Sequence, residues 1–115
     1  MSPLDVSRAI AMASDREFDE WLGKHGASEP DVIVAIYKKA SGKQTVTVEG
    51  LVETALCHGW IDSLATKIDE ESFALRFTPR REGSNWSAKN RLTARRLLEE
   101  GRMTAAGRAV LPDDL

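Results

Sequence analysis

The chain has 115 residues, of which 42% are hydrophobic and 30% are charged, a composition typical of one globular domain and not of a disordered or fibrous chain. A chain of this length buries roughly two thirds of the surface that its unfolded form exposes, so it needs no disulfide or structural metal. Cys57 is the single cysteine, so no intramolecular disulfide is possible. No apolar segment approaches the roughly 18 to 20 residues of a membrane span. We expect one cytoplasmic domain over residues 1–115, with its core over about 14–110.

The helical signals are capping residues followed by apolar residues at helical spacing. Ser14 and Glu17 form a capping-box pattern ahead of the first helix, and Thr47 is a good N-cap for the second. Ser87 is the predicted N-cap of the third, with Ser84 as the competing candidate. Behind Thr47, apolar residues recur at i, i+3, i+4, i+7 and i+8, which places them on one face of a helix. The predicted helices are 15–25, 48–59, 87–100 and 104–110.

Three segments have strand patterns. Residues 31–38 hold a nearly continuous β-branched run, which predicts a central strand buried on both faces. Phe73, Leu75 and Phe77 alternate onto one face after an acidic turn, which predicts a hairpin with the preceding strand. The predicted strands are 31–38, 60–68 and 73–78. The order α-β-α-β-β-α-α predicts an α+β fold, a two-layer sandwich with a small, mostly antiparallel sheet of about three strands.

The functional signal is concentrated where the last predicted strand passes into the following helix. Pro79 ends the strand, and the free N–H groups and positive dipole end of the helix favour an anion. Arg80 and Arg81 are suited to grip phosphate or carboxylate through paired hydrogen bonds. The residues that we predict to bind a ligand in this segment are Arg80, Arg81, Ser84, Trp86, Ser87 and Asn90.

Asn90 leaves two interpretations open. At about 100° per residue it lies on the same helix face as Ala94 and Leu97, so its amide points along the core-facing stripe. A buried amide needs hydrogen-bond partners. Either these polar residues bind a ligand, or Asn90, Ser84 and Trp86 bond to neighbouring backbone and latch the helix onto the hairpin.

A second cluster of interest runs from Cys57 to Asp62. Cys57 and His58 are neighbours on a helix, so their side chains diverge by about 100° and do not form a nucleophile and base. Trp60 and Asp62 share a strand face, and we add both to the predicted ligand site. Asp62 is also the one candidate for a catalytic carboxylate. Metal-ligand spacing and glycine-rich phosphate loops are absent, so we predict no catalytic residue, metal or cofactor.

Charge is distributed unevenly along the chain. Residues 1–75 carry seven Lys or Arg against thirteen Asp or Glu, while residues 76–108 carry nine against three. The basic part is either a solvated helix surface or a binding face for an anion, an acidic partner or a nucleic acid. Arg91, Arg95 and Arg102 share one side of the helix, and Trp86 is available for base stacking, which makes nucleic-acid binding the alternative function.

Several blocks of the sequence together resemble the YdeI/OmpD-associated family, also called bacteriocin-protection proteins. The blocks are Ala55–Asp62, Phe77–Arg81, Ser84–Ser87, Asn90 and Gly101–Thr104. The resemblance covers about residues 16–110. It implies a small cytosolic bacterial domain without an established catalytic activity, and it supplies no catalytic residues. We therefore expect a non-enzymatic module for an anionic small molecule or an acidic protein partner, with a link to bacteriocin protection.

Overall fold

The computed structural model describes residues 4–81, 86–113 and 115. Within these ranges no helix is both long and apolar enough to cross a membrane. The strands are β1 (Ile10–Ala11), β2 (Val32–Tyr37), β3 (Trp60–Lys67) and β4 (Ser72–Pro79). The helices are α1 (Asp15–His25), α2 (Val48–Cys57), α3 (Ala88–Glu99) and α4 (Ala105–Ala109), with short 3-10 turns at Val6–Arg8 and Lys39–Ser41.

The four strands form one mixed sheet in the order β1-β2-β4-β3. β1 runs parallel to β2, and the other neighbouring strands are antiparallel. The α+β class, the β3–β4 hairpin and the central position of β2 are confirmed. The predicted strand number of about three is corrected to four, because β1 has two residues and is too short to show an alternating pattern.

The predicted helix starts are confirmed by side-chain caps. The Ser14 hydroxyl accepts from the N–H of Glu17 at 3.1 Å, the first step of a capping box. The Glu17 carboxylate then accepts from the N–H of Ala13 at 3.2 Å, one residue earlier than the usual capping box places it. Thr47 caps α2 through the N–H of Gly50 at 3.0 Å.

The main core lies between one sheet face and the helices α1 and α2. Alternate residues of the two central strands point to the same side, since Val34 of β2 pairs with Leu75 of β4 and Val32 pairs with Phe77. The Phe18 and Phe77 rings, both fully buried, have centroids 5.0 Å apart. This packing of α1 and α2 fixes the sheet face from which the site is built.

A second hydrophobic cluster joins α2 to α3 and α4. It consists of Leu56, Cys57, Ala94, Leu97 and Met103. The Cys57 carbonyl accepts from the Thr104 N–H at 2.9 Å and from the Thr104 hydroxyl at 2.8 Å, which ties α4 to the end of α2. α2 is therefore packed from two sides.

Asp31 connects the N-terminal segment to the sheet. Its carboxylate accepts from Arg8 at 2.5 Å and from the Nε–H of Arg76 at 2.9 Å, while the Asp31 side chain is only 8% exposed. The hydrogen bond from Arg8 lowers the pKa of Asp31 most, and Arg76 lowers it further against the opposing effect of burial.

Gly107 and Gly23 provide a matched test of the contact between α2 and α4. A Cβ at Gly107 would lie 2.2 Å from the Cys57 carbonyl oxygen, whereas a Cβ at Gly23 would meet nothing closer than 4.0 Å. We expect Gly107→Ala to reduce the free energy of unfolding by about 1–3 kcal/mol. Gly23→Ala should raise it by up to about 1 kcal/mol, because alanine is the better helix former. Urea unfolding measures both, and equal stabilisation by the two variants would contradict the close approach.

The lowered pKa of Asp31 predicts a pH-dependent contribution to stability. When the folded-state pKa lies below the unfolded value, the ionised group contributes stability that is fully present above the unfolded pKa. This contribution is lost as the pH falls through the folded pKa. Asp31→Asn should therefore reduce the free energy of unfolding by about 1–3 kcal/mol near pH 7, and by progressively less below about pH 4. Unfolding across this range, with the exposed Asp113→Asn as control, measures the difference. If the wild-type chain and Asp31→Asn differed in free energy of unfolding by the same amount at every pH, stability would not depend on the ionisation of Asp31.

Candidate functional site

Arg80 follows the end of β4 and turns inward. Its backbone N–H donates to the Gly59 carbonyl at 2.7 Å, which fixes the chain just after the strand. The residue is 6% exposed, and its guanidinium carbon lies 4.0 Å from the centroid of the Trp86 ring. Burial lowers the pKa of Arg80, and the negative charge of Asp62 opposes this shift. The guanidinium is thus a packed, stacked group, and its predicted ligand contact stays a prediction.

Trp86 connects this stack to the second hydrophobic cluster. It is half-buried and packs against the group that includes Leu97 and Met103, while Arg80 covers its ring. A guanidinium over an indole ring is attracted by the ring's quadrupole. This stack is a different contact from the predicted latch, in which Asn90, Ser84 and Trp86 hydrogen-bond neighbouring backbone, and that latch stays a prediction.

Ser87 and Asn90 begin α3. The Ser87 hydroxyl accepts from the Asn90 backbone N–H at 3.1 Å and is therefore the N-cap that the sequence predicted. Asn90 is half-buried, and its side-chain amide makes no hydrogen bond with a described residue. Instead of pointing into the core, Asn90 lines a cleft.

The cleft lies between α2, the start of β3 and the first turns of α3, and has a volume of about 350 Å³. α2 contributes Val48, Glu49, Val52 and Glu53; β3 contributes Asp62; and α3 contributes Lys89, Asn90 and Thr93. The structure thus brings together Asp62 and Asn90, two residues that the sequence singled out for different reasons. The site combines a small apolar surface with convergent polar groups, as ligand pockets commonly do.

The cleft carries charges of both signs. Glu53 forms an ion pair with Arg96, and a weaker one with Arg102 at 3.9 Å. Glu49, Asp62 and Lys89 make no ion pair with any residue in the described part of the chain. Two carboxylates and one ammonium group therefore line the cleft without an ion pair in that part of the chain, although the charge of Asp62 also acts on Arg80.

The remaining predicted residues lie elsewhere. Trp60 is 3% exposed, and its ring meets that of Trp21 edge-on at a centroid distance of 5.9 Å, so it is a core residue. Arg81 is exposed beside the chain that the structure does not describe. Ser84 lies outside the described residues.

The sequence did not single out the cleft residues of α2 or the Lys89 and Thr93 pair of α3. Glu49 and Glu53 are four residues apart, as are Lys89 and Thr93, and this spacing places each pair on one helix face. The spacing was a usable signal for a polar face. The spacing does not indicate which two helices face each other, so only the structure shows that the polar faces of α2 and α3 meet.

The other reactive side chains are occupied or insulated. His58 contacts Asp19 through its Nε2 at 2.7 Å, so it interacts with α1 in addition to capping α2. Burial raises the pKa of the Cys57 thiol, which disfavours the reactive thiolate. Among the residues that the structure describes, no group of three or more His, Cys, Asp or Glu could hold a metal ion.

The fold and the cleft define the class of the molecule: a small α+β domain with one mixed sheet, a helix α2 that is packed from two sides, and a candidate ligand cleft. A scan against protein-family models matches residues 10–110 to the family described as a domain of unknown function (DUF8412). The chain belongs to this family. Comparisons with curated proteins and with solved structures found no match.

Replacing Trp86 tests whether the Arg80 stack is structural. Trp86→Ala should lower the free energy of unfolding by about 1–3 kcal/mol, because it removes ring burial and uncovers the guanidinium. Trp86→Phe should retain part of this stability. Leu92→Ala, in the helix that follows Trp86, is the control, since Leu92 is 65% exposed and the change should alter stability by less than about 0.5 kcal/mol. Equal effects of Trp86→Ala and Leu92→Ala in urea unfolding would contradict a structural role for the stack.

Proposed function

We propose that this domain is a non-enzymatic binding module that takes a small ligand into the cleft between α2, β3 and α3. The observation that carries the proposal is the convergence of Asp62 and Asn90 on one cavity of about 350 Å³. This volume lies near the lower end of the range of about 300–1,000 Å³ found for ligand pockets. A ligand with the size of an amino acid or a monosaccharide suits it.

The charges support a ligand that carries both an anionic group and an ammonium group. The first turn of α3 contains no acidic residue, and its positive dipole end and Lys89 favour an anion. Across the cleft, Glu49 and Asp62 favour an ammonium group, and the Asn90 amide offers both a donor and an acceptor. The anionic ligand expected from the sequence is thereby refined to a zwitterion.

The nucleic-acid alternative has less support in the geometry. Of the three arginines on which this alternative rests, Arg102 lies 3.5 Å from Glu100 and 3.9 Å from Glu53, so its charge is partly neutralised. One face of Trp86 is covered by Arg80, which limits base stacking. The link to bacteriocin protection rests on the resemblance described above and stays a hypothesis.

A thermal-shift screen tests the proposal with three classes of probe: free amino acids and amino sugar phosphates as zwitterions, inorganic phosphate as an anion, and linear diamines as cations. A zwitterion that binds only the folded state should raise Tm as its concentration rises. Asp62→Asn and Asn90→Ala should each reduce the affinity for that zwitterion by about tenfold or more, because each removes a polar contact in the cleft.

Two variants separate the cleft from other binding modes. Glu99→Gln neutralises an exposed carboxylate of α3 outside the cleft and should leave the ligand-induced shift in Tm unchanged. If phosphate alone raises Tm, and Arg81→Ala abolishes that effect while Asp62→Asn does not, the ligand is an anion held near the start of α3 and the cleft proposal is wrong. Absence of any shift across the three probe classes would also contradict it.

A further inference from the structure

The β3 strand forms an exposed edge of the sheet. Among the strands of residues 4–81, 86–113 and 115, β4 lies on one side of β3 and no strand lies on the other. In the described chain, the backbone of residues 61–67 forms hydrogen bonds only with β4. Residues 62–65 are all exposed, and Leu64 retains 42% of its accessible surface. An exposed edge strand of eight residues presents a row of backbone N–H and C=O groups with which another strand can pair.

A bulge at Ser63 sets which side chains of β3 share a face. Asp62 pairs with Phe77, and Leu64 pairs with the adjacent Arg76, so Ser63 is the extra residue. Asp62, Ala65 and Lys67 pair with Phe77, Leu75 and Phe73, whose side chains point toward the helices. Leu64 and Thr66 pair with Arg76 and Ala74, which point to the other side. The bulge thus puts Asp62 and Lys67 on the same face, although they are five positions apart.

We propose that β3 pairs with β3 of a second copy of this chain in antiparallel orientation, with the two-fold axis at Ala65. With the bulged Ser63 left unpaired in each copy, Ala65 lies opposite Ala65 on the axis, Leu64 opposite Thr66, and Asp62 opposite Lys67, the last two pairs each occurring twice by symmetry. Every pair joins side chains on the same face of the sheet, as antiparallel pairing requires. The contact joins the two four-stranded sheets into one.

The charges of the edge agree with this register. Opposite charges in cross-strand positions stabilise pairing, and like charges destabilise it. The register places two Asp62–Lys67 pairs across the contact and no like-charged pair between residues 62 and 67. Within the monomer, Lys67 forms an ion pair with Glu70, and the two side chains are 61% and 91% exposed. Solvent screens this ion pair, so it restrains Lys67 only weakly. The small Ala65 permits close approach at the axis.

The inference rests on the edge geometry and is independent of the ligand proposed for the cleft. Lys67 does not line the cleft, whereas Asp62 does. Variants at Lys67 therefore change the proposed dimer without removing a cleft residue, and the two proposals fail separately.

Charge exchange across the edge tests the pairing. The wild-type chain should approach twice its 12.7 kDa monomer mass in sedimentation equilibrium as concentration rises. Lys67→Asp and Asp62→Lys should each weaken association by about tenfold or more, because each places like charges opposite one another twice. The double variant carrying both changes restores opposite charges and should recover most of the wild-type association.

Lys39→Asp provides the control, since it makes the same charge change at an exposed position away from β3 and should leave association unchanged. Circular dichroism of each variant checks that the fold is retained. A wild-type chain that stays at the monomer mass at every concentration would overturn the proposal. Dimerisation that is insensitive to both single variants would place the interface elsewhere and would overturn it equally.

Discussion

The burial of α2 on two sides is the constraint on which the rest of the molecule depends. Leu51 and Ala55 pack toward the sheet, while Leu56 and Cys57 pack toward α3 and α4. A helix with one apolar stripe could cover the sheet and leave its outer side to solvent. Because α2 is apolar over a wider arc, α3 and α4 must close over it. The cleft forms beside this contact, where the polar residues of α2 and α3 face each other and β3 supplies Asp62.

The segment that follows β4 divides into two parts with different physical roles. Arg80 and Trp86 form a stacked, largely buried pair that joins the end of the sheet to the second cluster. Asn90, in the first turn of α3, lines the cleft instead. The stacked pair and the residue that lines the cleft are therefore separate features of the segment, and the ligand contact is proposed for Asn90 only.

The sequence was informative wherever a local rule decides the structure. Ser14, Thr47 and Ser87 were found as N-caps because a cap is defined by residues within one turn. The depth of Arg80 and the exposure of Asp62 depend on which distant elements cover them, and no local pattern contains that information. Trp60 shows the same limit: it was grouped with Asp62 on one strand face, but Trp60 is buried against Trp21 of α1, whereas Asp62 is exposed and lines the cleft.

The position of Cys57 has a practical consequence. It is the one thiol of the chain, it is buried between α2 and the closing helices, and burial keeps its pKa above the ordinary value. Because Cys57 is only 3% exposed, a thiol reagent should modify it slowly in the folded chain, and the labelling rate reports local openings that expose it. Slower labelling in the presence of a bound molecule would connect occupancy of the cleft to closure of the helices, without any engineered probe.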